Sequence, residues 1–129
     1  MKKSLRIIHK AFDGKLVGSK RMQNMACDVV AKMPNKIFKK ITKTCWFISS
    51  LDDAWGFTLT GNDLKNQHLV FLSDELFRET PQQIRYTIAH EIGHVILGHR
   101  NSILKRQSKA EVREQEKEAD AFTKQFLIY

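Results

Sequence analysis

A chain of 129 residues, 42% of them apolar, can bury a core and suits one folding unit, so a single domain spanning 1–129 is expected. The net charge of +8 is unevenly placed: residues 1–50 hold 12 Lys/Arg against 2 Asp/Glu, and residues 51–129 hold 10 against 12. No apolar run reaches the roughly 18 residues of a membrane helix, and Met1-Lys2-Lys3-Ser4 precedes no apolar stretch of signal-peptide length, so a cytoplasmic protein without membrane attachment is expected.

In chain order, residues 5–18 read as extended, with Gly14 and Gly18 weighing against a regular strand. Residues 19–33 read as a helix. Its apolar stripe is Met22, Met25, Ala26, Val29, Val30 and Met33, and Pro34 stops it. Residues 34–43 suggest a short helical turn around Ile37 and Phe38. Lys32, Lys36, Lys39, Lys40 and Lys43 crowd the same stretch and could meet nucleic acid or an acidic partner. No DNA-reading motif or aromatic ladder accompanies them, so a solvated surface is the simpler reading. Cys27 and Cys45 make neither a disulfide framework nor a metal pair by spacing, and read as small buried side chains.

Residues 44–50 and 55–60 are rich in aromatic and β-branched side chains and read as neighbouring strands joined by a turn at 51–54. Turn residues at 61–63 and 65–67 precede a third strand, 68–72. The expected fold class is therefore α+β, a roughly three-stranded antiparallel sheet packed on helices. Strand 68–72 is the expected edge, because it directly precedes the helix that follows; an extended peptide could add there as another strand. Trp46 and Trp55 could line subsites, although core aromatics are commoner.

The most informative stretch is His90-Glu91-Ile92-Gly93-His94. Histidines four apart on a helix face the same way, so both imidazoles can reach one metal ion. Zn²⁺ binds neutral imidazole and keeps an open position for water in catalytic sites. Glu91 flanks the metal rather than binding it, and can act as the base that deprotonates the water. HExxH is a metalloprotease signature, and its flanks support a helix. Thr80 and Pro81 provide an N-cap and a first-turn proline, Ile84, Ile88, Ile92, Val95 and Ile96 recur at helical spacing, and Gly98 marks an end.

A catalytic zinc usually takes three protein ligands. His99 fails the metzincin spacing and reads as a helix cap or a neighbour of the site. A second helix begins near Glu114 and continues through Leu127, with Val112, Ala119, Phe122 and Phe126 on its apolar face. On a wheel of about 100° per residue, Glu116 lies nearer that face than Glu118. Glu116 is the preferred third ligand, with Glu118 its substitute. Asp120, one turn on, could accept a proton from the far nitrogen of a ligand histidine. Glu111, Glu114 and Glu118 read as exposed, salt-bridged acids. Tyr86, Tyr129 and His99 are the available oxyanion donors, and Tyr86 is more simply a packing residue.

The stretch 84–127 resembles the ImmA/IrrE family of metallopeptidases, within the gluzincin group. The resemblance rests on Tyr86-Thr87-Ile88-Ala89-His90-Glu91-Ile92-Gly93-His94, on the Glu-x-Glu-Ala-Asp-x-Phe block from Glu116 to Phe122, and on Leu69-Val70-Phe71-Leu72-Ser73 before the active helix. Thr123 stands where relatives often have alanine. The resemblance implies a compact, zincin-like domain that binds Zn²⁺ and cleaves regulatory proteins, often DNA-binding repressors. A zinc-dependent endopeptidase is thus the expected function. The rival is a metal-bound module that sequesters its partner uncut; an intact Glu91 counts against it.

Overall fold

The computed structural model describes residues 5–50, 56–59, 67–98 and 109–126. Among these residues, five α-helices and four strands run in the order α1 (Leu5–Phe12), β1 (Leu16–Val17), α2 (Lys20–Ala31), α3 (Asn35–Thr44), β2 (Cys45–Ser50), β3 (Gly56–Leu59), β4 (His68–Ser73), α4 (Pro81–Ile96) and α5 (Lys109–Phe126). A 3-10 helix, Asp74–Arg78, joins β4 to α4. The turns expected at 51–54 and 61–66 lie outside the described residues, as do Trp55, His99 and Tyr129.

The expected extended segment 5–18 is mostly helix. Ile8 and Phe12 lie one turn apart and are both buried, a helical spacing within a short segment. The chain turns at Asp13 and Gly14 before the two-residue strand β1. The short turn expected around Ile37 and Phe38 is a full helix, α3, whose buried side is Phe38, Ile41 and Thr42. Thr42 is tolerated there because its hydroxyl donates to the Phe38 carbonyl at 2.9 Å. Lys36, Lys39, Lys40 and Lys43 occupy the exposed side. Helix α2 falls within its expected bounds, capped by Ser19, whose hydroxyl accepts the Met22 N–H at 3.1 Å.

The expected three-stranded antiparallel sheet is overturned. Four strands lie in the order β1-β2-β4-β3. β1, β2 and β4 are mutually parallel, with Phe47 opposite both Leu16 and Val70. Only β3 is antiparallel, with Phe57 opposite Phe71. The two segments expected to form a hairpin, β2 and β3, are therefore separated by β4. An interior strand covered on both faces reads as a continuous apolar run, and in Leu69-Val70-Phe71-Leu72 one face, Val70 and Leu72, is buried and the other, Leu69 and Phe71, half-buried. Helices α2 and α3 supply the long crossover that parallel pairing of β1 with β2 requires. β4 is consequently interior and cannot be the edge that takes an added strand. Among the described strands β3 lies at one end of the sheet, and it also packs against α4.

One cluster of buried side chains runs from Ile8 in α1 to Phe122 in α5 and includes Met22, Phe47, Leu72, Ile84, Ile88 and Ile92. Helix α4 lies across it. Arg85 ties α4 to α2 through Asp28, with Nε to Oδ2 at 2.7 Å.

Candidate metal centre and active site

Helix α4 begins as its sequence dictates. The Thr80 hydroxyl accepts the Gln83 N–H at 3.2 Å, and Pro81 takes the first turn, where no N–H is needed. Ile84, Ile88, Ile92 and Val95 are buried. The helix ends at Gly98, whose φ of +70° is the left-handed conformation that suits glycine at this place. His90 and His94 lie on the flank of the buried stripe. Their side chains are 13% and 14% exposed, and their rings meet edge to face with centroids 4.8 Å apart.

Helix α5 brings the third group. Ala119, Phe122 and Thr123 are buried, and Phe126 partly covers Phe122, with ring centroids 4.8 Å apart. The buried Thr123 hydroxyl is satisfied by the Ala119 carbonyl at 2.7 Å, so threonine is accommodated there. Val112, expected on the same face, is 42% exposed. The two helices meet closely at Gly93, where a Cβ would lie 3.0 Å from Phe122 Cδ1 and 3.5 Å from Ala119 Cα. A side chain larger than a methyl there would press on Phe122 and Ala119 and hold α5 away from α4.

This close approach sets Glu116 against both histidines. One carboxylate oxygen is 2.7 Å from His90 Nε2 and the other is 3.1 Å from His94 Nε2. One potential ligand atom from each of His90, His94 and Glu116 lies within 4.8 Å of the other two. Two imidazole nitrogens and a carboxylate form a donor set suited to zinc, and their convergence on one small region fits an ion held among them. The Glu116 side chain is 53% exposed, so the cluster opens to solvent on one side. His94 lies in the last turn of α4, where the negative end of the helix dipole favours a cation.

Glu91, which follows His90 directly on α4, is buried, with 6% exposure. Asp120 Oδ1 lies 3.2 Å from His90 Nδ1, on the ring edge opposite Glu116. The approach falls outside hydrogen-bond geometry, leaving the buried Nδ1 without a hydrogen-bond partner. Asp120 also accepts a hydrogen bond from the Tyr86 hydroxyl. The structure thus brings together His90, His94, Glu116 and Asp120, while Glu118 is exposed and outside the cluster. From the sequence Tyr86 was legible as a packing residue or an oxyanion donor, not as a partner of Asp120. Its signal was its place one turn before His90, on the same side of the helix.

Residues 64–129 match the family model of peptidase U49. No curated protein matches the chain, and no solved structure does. The matched region takes in β4, α4 and α5, which carry every member of the cluster, and spans just over half of the sequence. No described helix is long and apolar enough to cross a membrane. The match shows that the chain belongs to the peptidase U49 family, and a peptidase acts on proteins or peptides.

Proposed function

We propose that this single domain is a zinc-dependent endopeptidase of the HExxH type, with His90, His94 and Glu116 as metal ligands and Glu91 as general base. The convergence of three donor groups from α4 and α5 carries the reading. A zinc ion held there would supply Lewis acidity, lowering the pKa of water and polarising a peptide carbonyl. Glu91 accepts the proton of the attacking water and returns it to the leaving amine nitrogen, so the carboxylate ends as it began. Low exposure keeps that carboxylate out of bulk water. Asp120 Oδ1 stands behind His90, 3.2 Å from Nδ1, while Nε2 faces Glu116.

An extended substrate fits best as a strand added to β3, the end strand that packs on α4. The resemblance of 84–127 to ImmA/IrrE metallopeptidases supports a cytoplasmic DNA-binding repressor as the natural substrate.

The test uses a proteome-derived peptide library and zinc-loaded protein. Glu91→Gln keeps the shape and removes the base, so cleavage should fall by about 10²–10⁴-fold while zinc content stays unchanged. Equal cleavage by wild type and Glu91→Gln would remove Glu91 from the mechanism. Capture of an intact protein partner by both, with cleavage by neither, would favour the sequestering module.

A further inference from the structure

We infer that Tyr86 is a positioning residue, whose hydroxyl fixes Asp120 and, through it, the tautomer and orientation of His90. The inference rests on the metal reading of the site. Tyr86 precedes His90 by one helical turn, and the two rings lie nearly parallel, with centroids 5.9 Å apart and planes at 23°. The ring stack carries the phenol oxygen across to α5, where it donates to Asp120 Oδ1. That same oxygen is the one 3.2 Å from His90 Nδ1. One carboxylate oxygen therefore links a hydroxyl donor and an imidazole nitrogen, both on α4.

The chemistry gives this link a purpose. A histidine that offers Nε2 to a metal must carry its proton on Nδ1, and that N–H needs an acceptor. His90 Nδ1 is sealed from water and has no hydrogen-bond partner in the present geometry. Asp120 Oδ1 is in place to become that partner after a small shift. The Asp120 side chain is 46% exposed, so without an anchor it would sample other rotamers in water. The Tyr86 hydroxyl supplies the anchor by donating to Asp120 Oδ1. With its proton committed to Asp120, Tyr86 is a poor choice for oxyanion donor.

Tyr86→Phe keeps the ring stack and removes the anchor. Asp120→Asn serves as the second variant, and the double variant completes a cycle. Two quantities are read: zinc affinity by chelator competition, and the His90 tautomer in metal-free protein by long-range nitrogen–proton NMR. Tyr86→Phe should weaken zinc by about 10-fold, the lower end of losses behind a metal ligand. It should also shift metal-free His90 away from the Nδ1–H form. Asp120→Asn should weaken zinc at least as much, and Tyr86→Phe should add less than about twofold in that background. Independent, multiplying losses would overturn the inference, since Tyr86 would then act without Asp120. So would a Tyr86→Phe protein with wild-type zinc affinity and tautomer. Wild-type protein that binds no zinc would end the metal reading and this inference with it; normal binding by wild type and Tyr86→Phe alike would end this inference alone.

Discussion

Glu116 and Glu118 lie two residues apart on one helix, yet the structure separates them sharply. Glu116 approaches both His90 and His94, and Glu118 is outside the cluster. Glu116→Gln should therefore lower zinc affinity by at least about 10-fold, because an amide is a poorer ligand than a carboxylate, whereas Glu118→Gln should leave it within about twofold. Titration with a metal indicator measures both, and the reverse order would transfer the ligand role to Glu118. This part of the site was legible in the sequence because helical geometry alone sets which residues share a side: His90 with His94, and Glu116 nearer Ala119 than Glu118 is. The Tyr86 role was not, since it depends on where a second helix places Asp120. The cysteines matched their reading. Both are buried, and burial raises Cys27 to about 11 and Cys45 to about 12, so neither is a thiolate near neutrality.

The α4–α5 crossing is the element pair on which the cluster depends, and Gly93 sets its closeness. Gly93→Ala has opposing effects: about 1 kcal/mol of helix propensity gained, against a Cβ that needs a small displacement of Phe122. Gly93→Leu has no such balance, because its side chain must enter the space of Phe122 and Ala119. It should cost about 1–3 kcal/mol of stability in urea titration and weaken zinc as Glu116 moves away. Unchanged stability and affinity would show that the helices do not need this approach. Helices α2, α4 and α5 were legible from period, caps and proline. The sheet was not, because strand-rich composition does not specify pairing order. The uninterrupted Leu69–Leu72 run carried the signal for an interior strand, but chain adjacency pointed to an antiparallel meander. Helix α1 was missed because one buried pair, Ile8 and Phe12, is too short a pattern to outweigh exposed Leu5 and Ile7.

Folding of the whole chain should respond to acid through His68, at the start of β4. Burial, and then the nearby positive charge of Lys40, lower its pKa from the ordinary 6.5. The unfolded chain therefore binds the proton more readily than the folded one. Stability from this source is present above pH 6.5 and is lost as pH falls through the lowered value. Metal-free wild type should lose more stability between pH 7 and pH 5 than His68→Gln in parallel urea titrations, and identical losses would remove His68 from the acid response. The charge asymmetry survives folding as an exposed lysine side on α3, on the opposite half of the sequence from every proposed ligand. The most direct measurement of all is the zinc content of purified protein after dialysis, by elemental analysis. About one zinc per wild-type chain is expected, with near-complete loss in His90→Ala and His94→Ala, since each removes one of three protein ligands. Full zinc in both variants would contradict the proposed centre.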